Sequence, residues 1–176
     1  MLKNFKIKLL ILSMTAIVIV ILKYYSPKIV NDYKVEKYYN SYNIKEYYAV
    51  LKISNLDINN VIYKIGSKEN MVDKNIFLAY EDKNIIVLAA HSGNSPISYF
   101  KNLSNLNKGD NIQLLMDNKI RTYKLFFKKE VKKNLRLKIN KYNYPILVLI
   151  TCSKEDKTKQ EIYYTRLIKT QISSKI

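Results

Sequence analysis

Seven short runs rich in β-branched and aromatic residues follow residue 47, and turn-forming residues separate them. The runs are residues 49–53, 61–65, 85–90, 112–116, 120–127, 146–151 and 162–168. Runs of this length and composition are typical of strands, and the strand–helix alternation that a parallel sheet requires is missing. The pattern predicts an all-β domain, a small barrel or sandwich, with one short helix at residues 97–106. Asp117 and Asn118 predict a hairpin turn, because both tolerate the backbone conformation that tight turns need.

The N-terminal segment predicts a membrane helix. Residues 9–22 form an uncharged run flanked by lysines and tyrosines. At 1.5 Å per residue this run spans only about 21 Å, but Phe5 to Tyr25 span about 31 Å, which matches a hydrocarbon core of about 30 Å. No small-x-small cleavage site follows, so an uncleaved signal-anchor over residues 1–25 is favoured over a cleaved signal peptide. We expect a single-pass protein of the cell membrane with its folded domain outside.

The remaining chain divides into two segments. Residues 26–47 are polar and charged with scattered Tyr and Val, and they predict a helical or irregular stalk that lifts the domain off the membrane. Residues 48–176 carry the strand pattern and form the folded domain. After the apolar segment is subtracted, about 150 residues remain, which is enough for one domain with an ordinary core.

The charge of the chain excludes one class of partner. The formal net charge is +17, and Lys supplies nearly all of the 31 basic residues. A DNA-binding protein would need Arg for bidentate contacts to guanine and a basic recognition module, so we expect no nucleic acid partner. The spread of Lys along the whole chain favours a solvated surface suited to an anionic membrane or wall matrix.

Two single-copy residues stand at equivalent places in the strand pattern. The apolar run 145–152 ends at Cys152, the only cysteine. The apolar run 84–90 is followed directly by His91, the only histidine, at the start of a polar loop. Continuous apolar runs predict strands buried on both faces, so each strand would hold one reactive side chain at its end. A thiol of pKa about 8.5 needs a neighbouring base to act as a nucleophile at neutral pH. Read singly, Cys152 could equally be a buried apolar residue and His91 a structural group.

No metal is expected at this pair. A zinc site needs three or four ligands, and the sequence offers neither a second Cys nor a second His. The residues alone are compatible with a catalytic pair, in which His91 would activate the Cys152 thiol, and with two structural side chains.

The segments that hold these two residues resemble the sortases of Gram-positive bacteria. In that family a His follows a core strand, an aromatic-x-x-Leu segment comes next, and Lys-Gly-Asp leads into a hairpin. Here these are His91, residues 99–103 and residues 108–110. The family's Thr-Leu-x-Thr-Cys motif falls on residues 148–152, with Val148 in place of the first Thr. The resemblance covers about residues 49–168.

The resemblance implies a closed eight-stranded barrel and a transpeptidase that needs no cofactor. In such enzymes the Cys attacks the carbonyl of Thr in an LPXTG-like sorting signal near the C-terminus of a secreted protein. A thioester acyl-enzyme forms, and an amine from a cell-wall precursor or a pilin resolves it. By resemblance, Cys152 is the nucleophile and His91 the general acid and base.

The third catalytic position is open. Sortases place an Arg near the start of the last strand, where it stabilises charge on the substrate carbonyl oxygen. Here that position falls at about Gln160, next to Lys159, whereas the only Arg after Cys152 is Arg166. Six residues of strand span about 20 Å, so Gln160 and Arg166 cannot both reach Cys152. The candidates are Gln160 or Lys159, Arg166, or a backbone oxyanion site.

The resemblance is closest to the compact subclasses. Residues 26–47 lack the Asp-Pro-aromatic triplet of a pilin-type lid, and residues 127–144 are too few for an additional long helix. The displaced Arg and the basic charge leave a second hypothesis of a different class. It is a membrane-tethered, catalytically weak barrel that binds anionic cell-wall polymer.

Overall fold

The computed structural model describes residues 2–40, 46–133, 138–140 and 142–173. The described chain begins with one continuous helix, α1, at Leu2–Asn40. Its segment Ile7–Tyr38 is long and apolar enough to cross a membrane, and the side chains of the apolar run are exposed. The predicted membrane segment and most of the predicted stalk are thus one helix. The last part of the predicted stalk, residues 41–45, lies outside the described residues.

Eight strands form one mixed sheet that curls into a nearly closed barrel. They are β1 (Tyr47–Ile53), β2 (Ile58–Tyr63), β3 (Phe77–Glu81), β4 (Ile85–Ala89), β5 (Asn111–Met116), β6 (Lys119–Lys132), β7 (Ile146–Cys152) and β8 (Lys159–Ile172). Their order in the sheet is β2-β1-β5-β6-β8-β7-β4-β3. A bridge between Ile62 and Ile76 joins β2 to the residue before β3 and brings the two edges together. The all-β barrel with eight strands is confirmed.

Alternation along the strands places apolar side chains both inside and outside the barrel. In β7, Leu147 and Leu149 belong to the interior core. Ile146 and Val148 face the other way and pack in a second cluster with Ile85 and other residues. The continuous apolar run that ends at Cys152 is therefore buried on both faces, as its sequence predicts.

Three local predictions have different outcomes. The hairpin is confirmed, since Asp117 and Asn118 have φ of 49° and 58° and Met116 pairs with Lys119 across them. Strand β3 was not predicted. Its sequence FLAYE is only five residues long, and three of the five residues are exposed. The prediction of a short helix at residues 97–106 is wrong. Turns occupy most of this segment, and its only helical part is a single 3₁₀ turn at Leu103–Asn105. Closely spaced turn formers in that segment compete with an α-helix.

The C-terminal third of α1 packs on the outside of the barrel. Val35 is 4% exposed and lies in an apolar cluster on the outer faces of β1, β2 and β5, with Val50, Val61, Tyr63 and Leu115. Polar contacts flank this cluster. The Asn31 side chain donates to the Asn59 carbonyl at 2.7 Å, and Tyr38 donates to the Leu115 carbonyl at 3.3 Å. The segment predicted as a stalk is thus attached to the domain that it carries.

Candidate active site

Cys152 and His91 come to the same edge of the barrel because β4 and β7 are parallel neighbours. The ladder pairs Ile85 with Ile146 and continues to Ala89 with Ile150. Paired residues on adjacent strands lie about 5 Å apart, and Cys152 and His91 each follow the last pair by two residues. The ends of the two apolar runs therefore place the backbone of Cys152 next to that of His91.

Hydrogen bonds join the two strand ends beyond the regular ladder. The Ala90 amide donates to the Ile150 carbonyl at 3.1 Å, and the Thr151 hydroxyl donates back to the Ala90 carbonyl at 2.8 Å. One residue further, the Ser92 hydroxyl donates to the Cys152 carbonyl at 2.7 Å. These bonds fix the backbone on both sides of the Cys152–His91 pair, which limits how far the two side chains can separate.

His91 also contacts a residue that the sequence reasoning missed. Its Nε2 lies 3.0 Å from Oδ1 of Asp73, which belongs to the connection between β2 and β3. Because a carboxylate only accepts hydrogen bonds, Nε2 carries the proton in this pair. The Asp73 side chain is 76% exposed, so the pair contributes little to stability. In this contact the ring presents Nε2 to Asp73.

Strand register separates the candidates for the third position. Residue 160 pairs with residue 152 across β7 and β8, whereas residue 166 pairs with residue 146. Paired residues on antiparallel strands point to the same face, so Gln160 shares the face of Cys152. Arg166 lies six residues along the strand, about 20 Å away. Among the three candidates, Gln160 is the side chain opposite the thiol.

Lys159 lies next to Gln160 but is held by carboxylates. Its Nζ is 3.0 Å from Glu130 Oε2 and 3.5 Å from Asp156 Oδ2. The hydrogen bond to Glu130 is the main cause of a raised pKa of Lys159. The pKa of Glu130 is lowered by hydrogen bonds from Ser153 and from Lys159. This network holds the connection from β7 to β8 directly after Cys152, and Lys159 stabilises that connection.

No local sequence signal singled out Asp73. It lies in a polar segment with several other charged residues, and only the folded chain brings it to His91. Glu130 was likewise an isolated carboxylate in a Lys-rich stretch. Its part in the network depends on the pairing of β6 with β8, which places Lys132 opposite Lys159.

Comparisons with known proteins agree with this architecture. The family model described as Sortase domain matches residues 51–170, well over half of the chain. A search of curated protein sequences gave no match.

Several solved structures share the fold at low sequence identity. Sortase A of Listeria monocytogenes matches with a TM-score of 0.64 and 21% identity, over 74% of this chain and 92% of that one. Sortase C of Streptococcus pneumoniae matches with a TM-score of 0.62 and 18% identity, over 72% and 71% of the two chains. A Clostridium perfringens sortase D5 transpeptidase matches with a TM-score of 0.59 and 20% identity, over 81% and 98%.

Proposed function

The chain belongs to the sortase family, and from this membership we propose that it is a membrane-anchored cysteine transpeptidase. The observation that carries the proposal is the parallel pairing of β4 with β7, which sets Cys152 and His91 at adjacent strand ends. The proposed donor is a secreted protein with an LPXTG-like sorting signal near its C-terminus. The proposed acceptor is an amine of a cell-wall precursor or a pilin.

In the first half of the reaction, the Cys152 thiolate attacks the carbonyl carbon of the Thr in the sorting signal. A C–S bond forms and the C–N bond to the following residue breaks. Protonated His91 gives its proton to the leaving amine, so that a thioester and a free peptide amine result. In this proposal Nδ1 is the nitrogen that moves the proton, and the contact of Nε2 with Asp73 supports that choice.

In the second half, an acceptor amine attacks the thioester carbonyl. His91 takes a proton from the amine, a C–N bond forms, and the C–S bond breaks to restore Cys152. Negative charge builds on the carbonyl oxygen in both halves. The Gln160 carboxamide, opposite Cys152 in the strand pairing, is the proposed side-chain donor to this oxygen. Asp73 is proposed as a positioning residue for the His91 ring.

The proposed location is the outer side of the cell membrane, with α1 as a single-pass anchor. Support comes from the exposed apolar side chains of residues 9–22 and from the length of the helix. Donor proteins and a lipid-linked acceptor would both reach such an enzyme at the membrane surface.

The proposal is tested with a panel of fluorogenic LPXTG-type peptides, each incubated with the full chain and an added amine. We expect a product that joins the peptide to the amine, and Cys152→Ala should abolish it. Full turnover by Cys152→Ala would contradict the proposal. Asp73→Asn keeps the shape of the side chain but weakens its hold on the ring, so we expect kcat to fall with KM nearly unchanged.

The same assay distinguishes the binding-only barrel. A protein of that kind would bind anionic wall polymer in a salt-dependent way and yield no thiol-dependent product. Family membership favours the transpeptidase.

A further inference from the structure

One face of the sheet formed by β1, β5, β6 and β8 carries several basic residues. Paired residues on neighbouring strands point to the same side of a sheet. In one row, residue 52 pairs with 113, residue 113 with 122, and residue 122 with 169. In the next row, residue 111 pairs with 124, and residue 124 with 166. We call the two rows together the basic face, and its residues are Lys52, Asn111, Gln113, Thr122, Lys124, Arg166 and Lys169.

The basic face is on the outside of the barrel. Side chains two residues apart on a strand point to the same side. Gln113 is two residues from Leu115, which belongs to the outer apolar cluster under α1. Residues 122 and 124 are likewise two apart on β6, so both rows share this side. The basic face therefore lies directly beside the place where α1 packs.

The four cations of the basic face lack carboxylate partners. All four side chains are exposed. Within the described part of the chain, no Asp or Glu makes an ion pair with any of them. Other lysines do have such partners, as Lys128 has in Glu161 at 3.0 Å. The acidic side chains thus neutralise charge elsewhere, and the basic face keeps four uncompensated charges.

Two of these charges are directly opposite each other. Lys124 of β6 pairs with Arg166 of β8, and the Cβ atoms of such a pair are about 5 Å apart. Like charges in this arrangement destabilise a sheet. An anion bound to both would remove the repulsion, and a guanidinium can donate two hydrogen bonds to one phosphate group. The pair is therefore suited to an anionic ligand.

The dimensions of the basic face favour an extended anion. Its outermost cations, Lys52 and Lys169, are three strand spacings apart, which is about 14 Å. That span exceeds a single phosphate group, so one small anion could not contact all four cations. Asn111 and Gln113 lie between the cations and are at least partly accessible. Their carboxamides can form hydrogen bonds to the uncharged, oxygen-rich parts of a polymer.

A nucleic acid fits this face less well than a polymer without bases. Proteins that bind single strands combine a basic groove with aromatic side chains on which the bases stack. None of the seven residues of the basic face, all of which are described, is aromatic. The face thus offers contacts to phosphates and polar groups and no platform for a base.

The position of α1 disfavours a bilayer surface as the ligand. Helix α1 is continuous from Leu2 to Asn40, and its last third packs on the barrel wall beside the basic face. With α1 as the proposed anchor, the wall beside it stands roughly along the bilayer normal, since membrane helices tilt on average by only about 20°. The basic face then points sideways above the membrane rather than onto the lipid headgroups.

We propose that the basic face binds a flexible polymer of polyol units joined by phosphodiester groups. Lys124 and Arg166 hold one phosphate between them, and the other two cations contact neighbouring phosphates. This binding is compatible with catalysis, because Arg166 lies about 20 Å along β8 from Gln160. The inference goes beyond the proposed transpeptidase function and does not depend on it.

The test measures the binding of labelled poly(glycerol phosphate) to the full chain in phosphatidylcholine nanodiscs, without donor peptide. Binding should weaken as salt rises, because contacts with phosphates release counterions. The double variant Lys124→Gln/Arg166→Gln should raise Kd about ten-fold or more, as for two lost charged hydrogen bonds. It should also lower the slope of log Kd against log salt concentration by about 1.4, or about 0.7 for each lost cation.

The matched control is Lys83→Gln/Lys101→Gln, which removes two exposed charges outside the basic face. It should change Kd less than about two-fold, because separated surface charges are screened. Equal weakening in the control would show attraction by net charge alone and would overturn the proposal. An unchanged Kd in the double variant would overturn it too, as would equally tight binding of an oligothymidylate with the same number of phosphates.

Acetylation of lysines, measured by mass spectrometry, locates the bound polymer. We expect the polymer to protect Lys52, Lys124 and Lys169 and to leave Lys83 and Lys101 reactive. Equal protection of all five would contradict a defined face. Protection of the first three by phosphatidylglycerol discs without polymer would show that the face lies on the bilayer, which would also overturn the proposal.

A stability measurement tests the repulsion between Lys124 and Arg166. In low salt without polymer, Arg166→Gln should raise the melting temperature by about 2 °C because it removes one of two opposed charges. With polymer, the wild type should gain more than the variant, because it binds more tightly. A lower melting temperature of the variant without polymer would contradict the proposal. Peptide cleavage by the wild-type chain is measured separately, so this proposal and the transpeptidase proposal fail independently.

Discussion

Cys152 and Gln160 form a pair of opposite residues at the edge of the barrel, and their shared face defines where a substrate carbonyl would lie. A carboxamide N–H there can stabilise the developing oxyanion without a charge. Arg166 carries a positive charge, but it pairs with Ile146 and is exposed. At the scale of single residues, we therefore expect position in the strand register to matter more than residue type.

Alanine substitutions of Gln160 and Arg166 should differ in their effect on turnover. Gln160→Ala should lower kcat about 10²-fold, the usual loss for one oxyanion donor, and Arg166→Ala should change it less than about two-fold because distant exposed charges are screened. Gln160→Arg should retain activity, since it restores a donor at the same place. Steady-state kinetics on the best peptide measures all three. A larger loss in Arg166→Ala than in Gln160→Ala would contradict the assignment.

At the scale of elements, the connection from β7 to β8 is held by its own hydrogen bonds. The Asp156 carboxylate accepts from the Thr158 hydroxyl and amide at 2.6 and 2.9 Å, which lowers the pKa of Asp156. The Ser153 amide donates to the Lys159 carbonyl at 3.0 Å. A rigid connection directly after Cys152 keeps the thiol and Gln160 in register.

The lowered pKa of Glu130 predicts a pH dependence of stability. Its ordinary value is 4.5. A carboxyl whose folded pKa lies below its unfolded pKa stabilises the fold above the unfolded value, and this is lost as pH falls through the folded value. The wild type should therefore melt at a higher temperature than Glu130→Gln at about pH 6, and the difference should shrink below about pH 4.5.

Thermal unfolding followed by circular dichroism measures this difference. The matched control is Glu155→Gln, which removes the charge of an exposed carboxylate on the same connection. A difference for Glu130→Gln that changes with pH no more than the difference for Glu155→Gln would exclude the proposed stabilisation of the Glu130 carboxylate.

At the scale of the whole molecule, α1 joins the proposed membrane anchor to the side of the barrel without a flexible linker in its described length. Val35 is the buried centre of that contact. If α1 is the membrane anchor, this contact fixes the orientation of the barrel relative to the membrane, which a flexible tether would not do.

Two valines of α1 test this attachment. Val35→Ala should destabilise the full chain by about 1–2 kcal/mol, because it removes buried methyl groups and leaves a small cavity. Val30→Ala, the same change at a side chain that is 49% exposed, should stay within about 0.5 kcal/mol. Chemical unfolding in detergent micelles measures both. Equal effects of the two substitutions would show that the helix does not pack on the barrel in solution.

The sequence by itself determined what neighbouring residues decide. Apolar runs and turn residues located seven of the eight strands and the hairpin at Asp117 and Asn118. They also placed Cys152 and His91 at strand ends, because the spacing of apolar residues and the positions of turn-forming residues are local properties of a chain. Strand β3 was not predicted, because it is too short and too exposed to give a clear pattern.

Only the tertiary structure decided which segments meet. The parallel pairing of β4 with β7 joins residues about 60 positions apart, as in the bond from Thr151 to Ala90. The approach of Asp73 to His91 and the pairing of Gln160 with Cys152 also depend on how distant strands and loops pack. So does the attachment of α1 through Val35. No local pattern encodes such contacts, because their free energy comes from burial and hydrogen bonds that form only when the barrel closes.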